Sequence, residues 1–169
     1  LVPKNNKIAT YDIEATGNGN NGNFTSYRIS LVWNELENNI RTNMNSINAG
    51  MKVKSFGGND CITKFFNYIH KNRTEFNGFT FYAHNAGKFD LILLLNEYIL
   101  YNKNKWKIED DSLIVLNGAY LNIELVAIVS GGEDPPMIKF RDSYRLLPMS
   151  LDKTSSEIIM IEQIFLSFI

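Results

Sequence analysis

The stretch FYAHNAGKFDLILLL, residues 81–95, changes character twice within a short distance. It opens with aromatic and apolar residues typical of a β-strand, passes through a polar segment containing one glycine, and continues as an apolar run typical of a buried helix. Asn85 and Asp90 interrupt this pattern, although a core segment has no evident need for an amide or a carboxylate there. A strand that leads into a helix favours an α/β fold, and the polar residues at the junction are candidates for function.

The rest of the chain shows the same mixture of strand and helix patterns. Strands are predicted at 7–16, 27–36 and 78–84, a further strand that enters a loop at 137–148, a weaker strand at 40–47, and a hairpin at 112–128 around the strong turn pair Asn117-Gly118. Helices are predicted at 61–72, at 91–100 with a first turn at or near Asp90, and after Ser150. Strands before and between helices predict one α/β domain, built on a mixed sheet flanked by helices.

Composition excludes several classes of protein. The 17 basic and 18 acidic residues give a net charge of -1, so the chain lacks the overall positive charge of a passive nucleic-acid binder. A polyanion would have to be held locally or through metal ions. The single cysteine, Cys61, excludes an intrachain disulfide framework and a cysteine-rich zinc site, and we expect it to be a small buried hydrophobe. The longest apolar run, LILLL, is far short of the roughly 20 residues needed to cross a bilayer, so no membrane partner is expected.

Two carboxylates with a regular spacing lie near the start of the chain. In TYDIEAT, residues 10–16, Asp12 and Glu14 are separated by one residue on a predicted strand. The two-residue period of a strand points both to one face, while Tyr11 and Ile13 point to the other. Adjacent anions repel unless a cation lies between them, and carboxylate oxygens suit Mg²⁺ or Mn²⁺. The alternative interpretation is a solvent-facing side of the strand with no ligand.

Asp90 adds a third acid at the junction between a strand and a helix. From such a position a side chain can project from the end of a sheet toward carboxylates on a neighbouring strand. Three converging acids can hold two divalent ions ~3.5–4 Å apart, the separation used for phosphodiester hydrolysis. The alternative is that Asp90 only begins the helix, where the helix dipole favours a negative charge.

The order of these segments resembles the first two 3′–5′ exonuclease motifs of family B DNA polymerases, with DIE at 12–14 followed by HNAGKFD at 84–90. The resemblance is closer to the protein-primed branch, whose second motif is Asn, two or three residues, an aromatic residue and Asp. Asn85, Phe89 and Asp90 match that motif. The form of the segment is most similar to polymerases of fungal linear mitochondrial plasmids. The 22 asparagines fit this source, because an AT-rich gene produces such a composition.

A third segment, IKFRDSYRLLPMSLDK at 138–153, looks like the stretch that binds the single-stranded primer end in the same enzymes. There the motif is Ser or Thr, Leu, two residues and a hydrophobic residue. Ser143 matches its first position, and Tyr144 stands where the family has leucine. By this resemblance, Ser143 is the stronger candidate for a DNA contact.

The resemblance implies a fold, a reaction and a set of site residues. The fold would be ribonuclease-H-like and incomplete at its C-terminus, with a partial exonuclease domain at 1–153 and a divergent or truncated tail at 154–169. The catalytic residues would be Asp12, Glu14 and Asp90, which would bind two Mg²⁺ or Mn²⁺ ions in the complete domain. The residues contacting a single-stranded 3′ DNA end would be Asn85, Phe89, Ser143 and Tyr144.

The resemblance also implies partners and a location for the longer parent protein. The parent would be a DNA-directed DNA polymerase that replicates plasmid DNA from a terminal protein primer in the mitochondrion.

Other residues near these motifs have simpler expected roles. His84 is expected to be structural, and Tyr82 and Trp106 are expected to pack in the core. Lys88, Arg141 and Arg145 are further candidates for phosphate contacts.

One expected motif is missing from these residues. The family has a third exonuclease motif, Tyr-x3-Asp, after the segment that contains Ser143, and the sequence has none there. We therefore expect the isolated chain to be at best a very weak nuclease. Two alternatives to the exonuclease region remain open at this point. One is a non-catalytic remnant of a decayed plasmid gene that at most binds single-stranded DNA, and the other is a free-standing exonuclease of the same superfamily.

Overall fold

The computed structural model describes residues 7–18, 23–34, 51–97, 104–130 and 134–145. The strands are β1 (Ile8–Asn18), β2 (Asn23–Asn34), β3 (Met51–Gly57), β4 (Thr80–Ala83), β5 (Trp106–Ile108), β6 (Ile114–Leu116), β7 (Ala119–Ala127) and β8 (Met137–Asp142). The helices are α1 (Cys61–Lys71), α2 (Arg73–Phe76) and α3 (Asp90–Glu97), and single 3₁₀ turns cover Ala86–Lys88 and Ser143–Arg145. Both classes of element belong to one structure, which confirms the predicted α/β class.

The eight strands form one mixed sheet in the order β3-β2-β1-β4-β8-β7-β5, with β6 also paired to β7. Parallel pairing joins β1 to β4 and β4 to β8, while β2, β3, β5, β6 and β7 pair with their neighbours in antiparallel fashion. The carboxyl ends of the three parallel strands therefore lie at one edge. In open α/β sheets, the crevice outside these ends is where ligands bind.

The three parallel strands do not end at the same level. Ala83, the last residue of β4, pairs with Asp142, the last residue of β8. The pairing of β1 with β4 ends at Thr10, whereas β1 continues along β2 as far as Asn18. The second half of β1 thus extends past the end of β4, and the residues that follow β4 and β8 lie beside it.

An aromatic core supports this edge of the sheet. The rings of Phe81 on β4 and Phe140 on β8 stack with centroids 5.1 Å apart, and Tyr11 on β1 meets Phe140 edge to face at 5.6 Å. Helix α1 covers these rings with an apolar face that was predicted from its spacing, namely Ile62, Phe65, Phe66 and Ile69. Large aromatic side chains bury 150–250 Å² each. The aromatic core therefore packs β1, β4 and β8 together below this edge.

Two strands were not predicted from the sequence, and the reason differs for each. Strand β3 lies at the sheet edge and buries only Phe56 among its residues, so it shows no apolar period. Strand β5 is three residues long, too short to show one, although the predicted packing role of Trp106 is confirmed by its complete burial. Cys61 is buried and free, also as predicted. The predicted strand at 40–47, the part of the second helix beyond Glu97 and the tail at 154–169 lie outside the described residues. In the described part, no helix is long and apolar enough to span a membrane.

Candidate metal and nucleic-acid site

Asp12 and Glu14 lie on the exposed face of β1, as the strand period predicted. Tyr11 and Ile13 alternate with them and are buried, with 4% and 5% of their surface exposed. The two carboxylates occupy the stretch of β1 that extends past the end of β4. This position places them at the carboxyl edge of the parallel strands, where a ligand can reach them.

Asp90 is attached directly to the same stretch of β1. The backbone N–H of Ile13, the residue between the two exposed acids, donates a hydrogen bond to Asp90 Oδ1 at 3.1 Å. Only 5% of Asp90 is exposed, and it is the first residue of α3, where the helix dipole favours a negative charge. The structure therefore brings the junction acid to the strand that carries Asp12 and Glu14.

The electrostatics of Asp90 are those of a buried carboxylate close to other acids. Its pKa is raised to about 6, mainly by burial and also by the charges of Asp12 and Asp142, against a lowering by the Ile13 N–H. Burial and like charges both disfavour the ionised form. A cation bound between Asp12 and Asp90 would relieve both effects.

A buried phenol lies close to the same acids. The Tyr11 hydroxyl has no hydrogen-bond partner among the described residues. Burial raises its pKa well above the ordinary value, and the charges of Asp90 and Asp142 raise it further. An unpartnered buried hydroxyl costs about 1–3 kcal/mol, so this region carries one polar group that the described residues do not satisfy.

The donor set fits a hard divalent cation in its chemistry. Carboxylate oxygens are what Mg²⁺ and Mn²⁺ prefer, and Asp12 and Asp90 lie within electrostatic range of each other. Across the described ranges, however, no three His, Cys, Asp or Glu side chains converge closely enough to hold a metal ion. Glu14 shares the face of Asp12 without completing such a cluster. The roles of Asp12, Glu14 and Asp90 as metal ligands thus stay a prediction.

The turn between β4 and α3 carries Asn85 and Phe89 and leads directly into Asp90. Asn85 adopts a left-handed backbone conformation, φ 57°, which Asn tolerates better than most residues, and its exposed side chain makes no capping hydrogen bond. Phe89 is half-buried and meets Phe24 of β2 edge to face, with ring centroids 5.0 Å apart. Half of Phe24 is exposed. Phe24 was not identified as a site residue from the sequence, because it follows a polar loop that shows no periodic pattern.

The two residues of the third segment have different surroundings. The Ser143 hydroxyl donates to the carbonyl of Ala83 at 3.3 Å and lies 3.5 Å from His84 Nδ1, so it joins the ends of β8 and β4. Tyr144 is 41% exposed, and its ring meets that of His84 edge to face at 5.5 Å. Tyr144 is therefore the more accessible residue, although the sequence favoured Ser143. These contacts of His84 agree with its expected structural role.

Asp142 is a site residue that the sequence analysis did not single out. Its Oδ2 accepts the N–H of Gly87 at 3.0 Å, and its Oδ1 accepts the N–H of Tyr144 at 2.9 Å. One buried carboxylate thus ties the turn after β4 to the turn after β8. A signal was present, since Asp142 continues the two-residue period of the buried residues Ile138 and Phe140. An acid in line with a buried face needs a partner inside the protein.

The raised pKa of Asp90 predicts a pH-dependent stability. In the folded state its pKa is about 6 against an ordinary value of 3.8, so the folded state binds the proton more tightly. The contribution of Asp90 to stability therefore falls as pH rises from about 4 to 6 and is constant above. In metal-free buffer at pH 7.5, we expect Asp90→Asn to raise the free energy of unfolding by about 2 kcal/mol, because an amide oxygen can still accept from Ile13.

Urea unfolding at pH 4, 6 and 7.5 in the presence of a chelator measures this effect. The difference between wild type and Asp90→Asn should grow with pH, and Asp110→Asn, at a carboxylate with 86% side-chain exposure, should give none. A difference between wild type and Asp90→Asn that is the same at every pH would contradict the prediction.

Comparison with known proteins identifies relatives of this arrangement. No protein-family model matches the chain. A probable DNA polymerase of Agaricus bitorquis is 29% identical over 162 residues, which cover 89% of this chain and 18% of that protein. A DNA-directed DNA polymerase of Enterobacteria phage PRD1 is 32% identical over 109 residues, which cover 64% of this chain and 15% of that protein. The chain therefore spans less than a fifth of the length of these relatives.

Solved structures of Phi29 DNA polymerase share the fold. The complex with primer-template DNA has a TM-score of 0.60 at 15% identity, and the complex with single-stranded DNA has 0.59 at 16%. Each match covers 89% of this chain and 23% of the polymerase chain. The likeness shows the expected ribonuclease-H-like fold. The two sequence relatives and the two solved structures are all DNA polymerases, and this chain matches a part of each.

Proposed function

We propose that this chain is the 3′–5′ exonuclease region of its polymerase, which removes nucleotides from a single-stranded 3′ DNA end. One observation carries the proposal: the N–H of Ile13, between Asp12 and Glu14, holds the carboxylate of Asp90 at 3.1 Å. Asp90 is thus held against the strand that carries Asp12 and Glu14, at the carboxyl edge of the parallel strands. The turn that carries Asn85 and Phe89 leads into Asp90, and the turn that carries Tyr144 follows β8, which pairs with β4.

Asp12, Glu14 and Asp90 would hold the metal ions of this site. The chemistry that two bound Mg²⁺ or Mn²⁺ ions would supply is the activation of water and the stabilisation of the departing 3′-oxygen. The chain's own part is to present the carboxylates in fixed positions. The hydrogen bond from Ile13 fixes Asp90, and the pairing of Asp12 with Ser30 fixes the backbone of β1.

The DNA end would be held by side chains that carry no charge. The exposed amide of Asn85 can hydrogen-bond a sugar or base, and the phenol of Tyr144 lies at the surface nearby. The Phe24–Phe89 pair offers aromatic surface for an unpaired base, and such stacking contributes ~1–3 kcal/mol per base. This mode of binding suits a chain with a net charge of -1.

The activity of the longer protein is a further part of the proposal. The two relatives are DNA polymerases, which supports DNA synthesis by the parent, and the two Phi29 structures contain DNA. By the resemblance of its motifs to the protein-primed branch, the parent would use a terminal protein primer and replicate a plasmid. The fungal relative and the asparagine-rich composition favour a mitochondrial location.

A second candidate function is single-stranded DNA binding without hydrolysis. It is favoured by the sequence, which has no Tyr-x3-Asp motif after Ser143, and by the lack of a three-acid metal cluster among the described residues. The two candidates differ in one measurable property. An exonuclease region binds a 3′ end more tightly with metal, whereas a remnant binds DNA equally with and without it.

Fluorescence anisotropy with a labelled eight-residue oligothymidylate separates the two candidates. We expect 5 mM Mn²⁺ to strengthen binding to the wild-type chain by about tenfold, because each 1.4 kcal/mol of added interaction is a factor of ten. Asp12→Asn should remove this gain. Glu75→Gln is the matched control, since it deletes one charge elsewhere and keeps an acceptor for Trp33 Nε1, which donates to Glu75 at 2.9 Å.

Each outcome of this titration has a distinct meaning. A metal-dependent gain that Asp12→Asn abolishes and Glu75→Gln preserves supports the exonuclease region. Binding that is unchanged by Mn²⁺ and by Asp12→Asn supports the non-catalytic remnant instead. If the wild-type chain does not bind the oligonucleotide, both candidate functions are excluded. Hydrolysis of the oligonucleotide by the isolated chain should be very slow, because the third exonuclease motif is absent from these 169 residues.

A further inference from the structure

A groove of about 390 Å³ opens next to the proposed 3′-end site. One wall consists of Asn85, Lys88 and Tyr144, from the turns after β4 and β8. The opposite wall consists of Leu116, Ala119 and Leu121, from β6 and β7. Ligand pockets have volumes of about 300–1,000 Å³, so this groove has the size of a site for a small molecular unit.

The two walls differ in chemistry. Leu116 is 46% exposed, and the whole of β6 is exposed although its residues are Ile, Val and Leu. Exposed apolar side chains next to a groove can contribute to a binding surface. Across the groove, Lys88 is exposed and charged and Asn85 presents an amide. A ligand that fits both walls has a flat apolar part and an anionic part.

Asp142 also lines the groove, but its negative charge does not exclude an anionic ligand. Both of its oxygens accept backbone hydrogen bonds, from Gly87 at 3.0 Å and from Tyr144 at 2.9 Å. Hydrogen bonds to a carboxylate stabilise its charge inside the protein. The groove thus presents Lys88 as its exposed charge, together with amide and aromatic groups.

We propose that this groove binds an unpaired nucleotide upstream of the 3′-terminal one, with its base on Leu116 and Leu121 and its phosphate near Lys88. The proposal rests on the proposed exonuclease function. The groove shares Asn85 and Tyr144 with the 3′-end site and continues from it onto β7. Since β7 lies three strands from β1 in the sheet, the apolar wall is about 14 Å from the strand of Asp12. A single strand that ends at the acids would therefore cross the groove with an earlier nucleotide.

Substitutions on β6 test the groove with a matched pair. Leu116→Ser removes its apolar wall, and Val115→Ser removes an equally exposed apolar residue of the same strand that does not line it. With the eight-residue oligothymidylate, we expect Leu116→Ser to weaken binding about fivefold and Val115→Ser less than twofold, as loss of a base contact predicts. Oligonucleotides that lack one base show which nucleotide occupies the groove. When the missing base is the one that contacts Leu116, wild type and Leu116→Ser should bind with equal affinity. Urea unfolding confirms that both variants are folded.

The results separate this proposal from the function on which it rests. If Leu116→Ser and wild type bind the oligonucleotide with equal affinity and binding still depends on metal, the proposed nucleotide site in the groove is wrong. The proposed exonuclease function is then unaffected. Equal losses in Leu116→Ser and Val115→Ser would overturn it as well, since the effect would belong to the hairpin as a whole. Failure of the wild-type chain to bind the oligonucleotide would overturn both proposals.

Discussion

Replacing Gly87 by alanine lowers the free energy of unfolding by about 3 kcal/mol or more. A Cβ atom at this position would lie 2.2 Å from the backbone oxygen of Tyr120 and 3.1 Å from Asp142 Oδ2. The oxygen belongs to the backbone of β7, where Tyr120 pairs with Val115 of β6, so it cannot rotate away as a side chain would. Either the turn of residues 86–88 or the strand must move.

The same substitution should also disturb the site. Moving Gly87 lengthens the hydrogen bond from its N–H to Asp142, now 3.0 Å, and displaces Asn85 and Phe89 on either side. We expect weaker binding of the eight-residue oligothymidylate in addition to the loss of stability. Equilibrium urea unfolding followed by tryptophan fluorescence measures the stability, since Trp33 and Trp106 are both buried.

Gly57→Ala is the control for this substitution. A Cβ at Gly57 would meet nothing within 4 Å, and the backbone there does not require a positive φ. Its effect should stay within about 0.5 kcal/mol. If Gly87→Ala and Gly57→Ala unfold at the same urea concentration, the approach of the turn to β7 is not as close as the structure has it.

Replacing Asp142 by alanine costs about 2–5 kcal/mol of folding free energy, because it leaves the buried N–H of Gly87 and the part-buried N–H of Tyr144 without an acceptor. The effect is large because the carboxylate is buried and each of its oxygens serves a different turn. Asp142→Asn retains one acceptor oxygen and should lose about half as much. Urea unfolding of the three proteins gives the order wild type, Asn and Ala.

Amide NMR distinguishes this mechanism from a general loss of packing. Hydrogen exchange at Gly87 and Tyr144 should accelerate in Asp142→Ala more than exchange at Phe81, which lies in the core of the neighbouring strand β4. Asp110→Asn again serves as an exposed control and should change neither stability nor exchange. Uniform acceleration across the sheet would show that Asp142 does not act through the two turns.

The elements of the fold that follow a regular apolar period could be predicted from the sequence. The alternation along β1 placed Asp12 and Glu14 on one face, and the helical spacing of Phe65 and Phe66 identified the buried side of α1. Both patterns arise because burial repeats with the geometry of one element. The edge strand β3 escaped prediction because almost nothing in it is buried.

The features that escaped prediction at the site depend on contacts between distant parts of the chain. Asp90 meets Ile13 across 77 positions, and Asp142 meets Gly87 across 55. The pairing of Phe24 with Phe89 and the groove between Lys88 and Leu116 also join separate segments. Local sequence contains the residue types but not their partners. The resemblance to a polymerase family supplied candidate residues, whereas the hydrogen bonds of Asp142 could be identified only in the three-dimensional structure.

The hydrogen bond between Ile13 and Asp90 also has a consequence for solubility. Beyond Thr10, the side of β1 that faced β4 is no longer paired with it, and Asp90 occupies the N–H of Ile13 there. A strand with unpaired N–H groups is a template for pairing with another chain, and a charged side chain on such an edge discourages aggregation. Asp90 therefore shields this part of β1 from strand addition. The hydrogen-bond acceptor at position 90 gives this protection whether or not the site binds a metal ion.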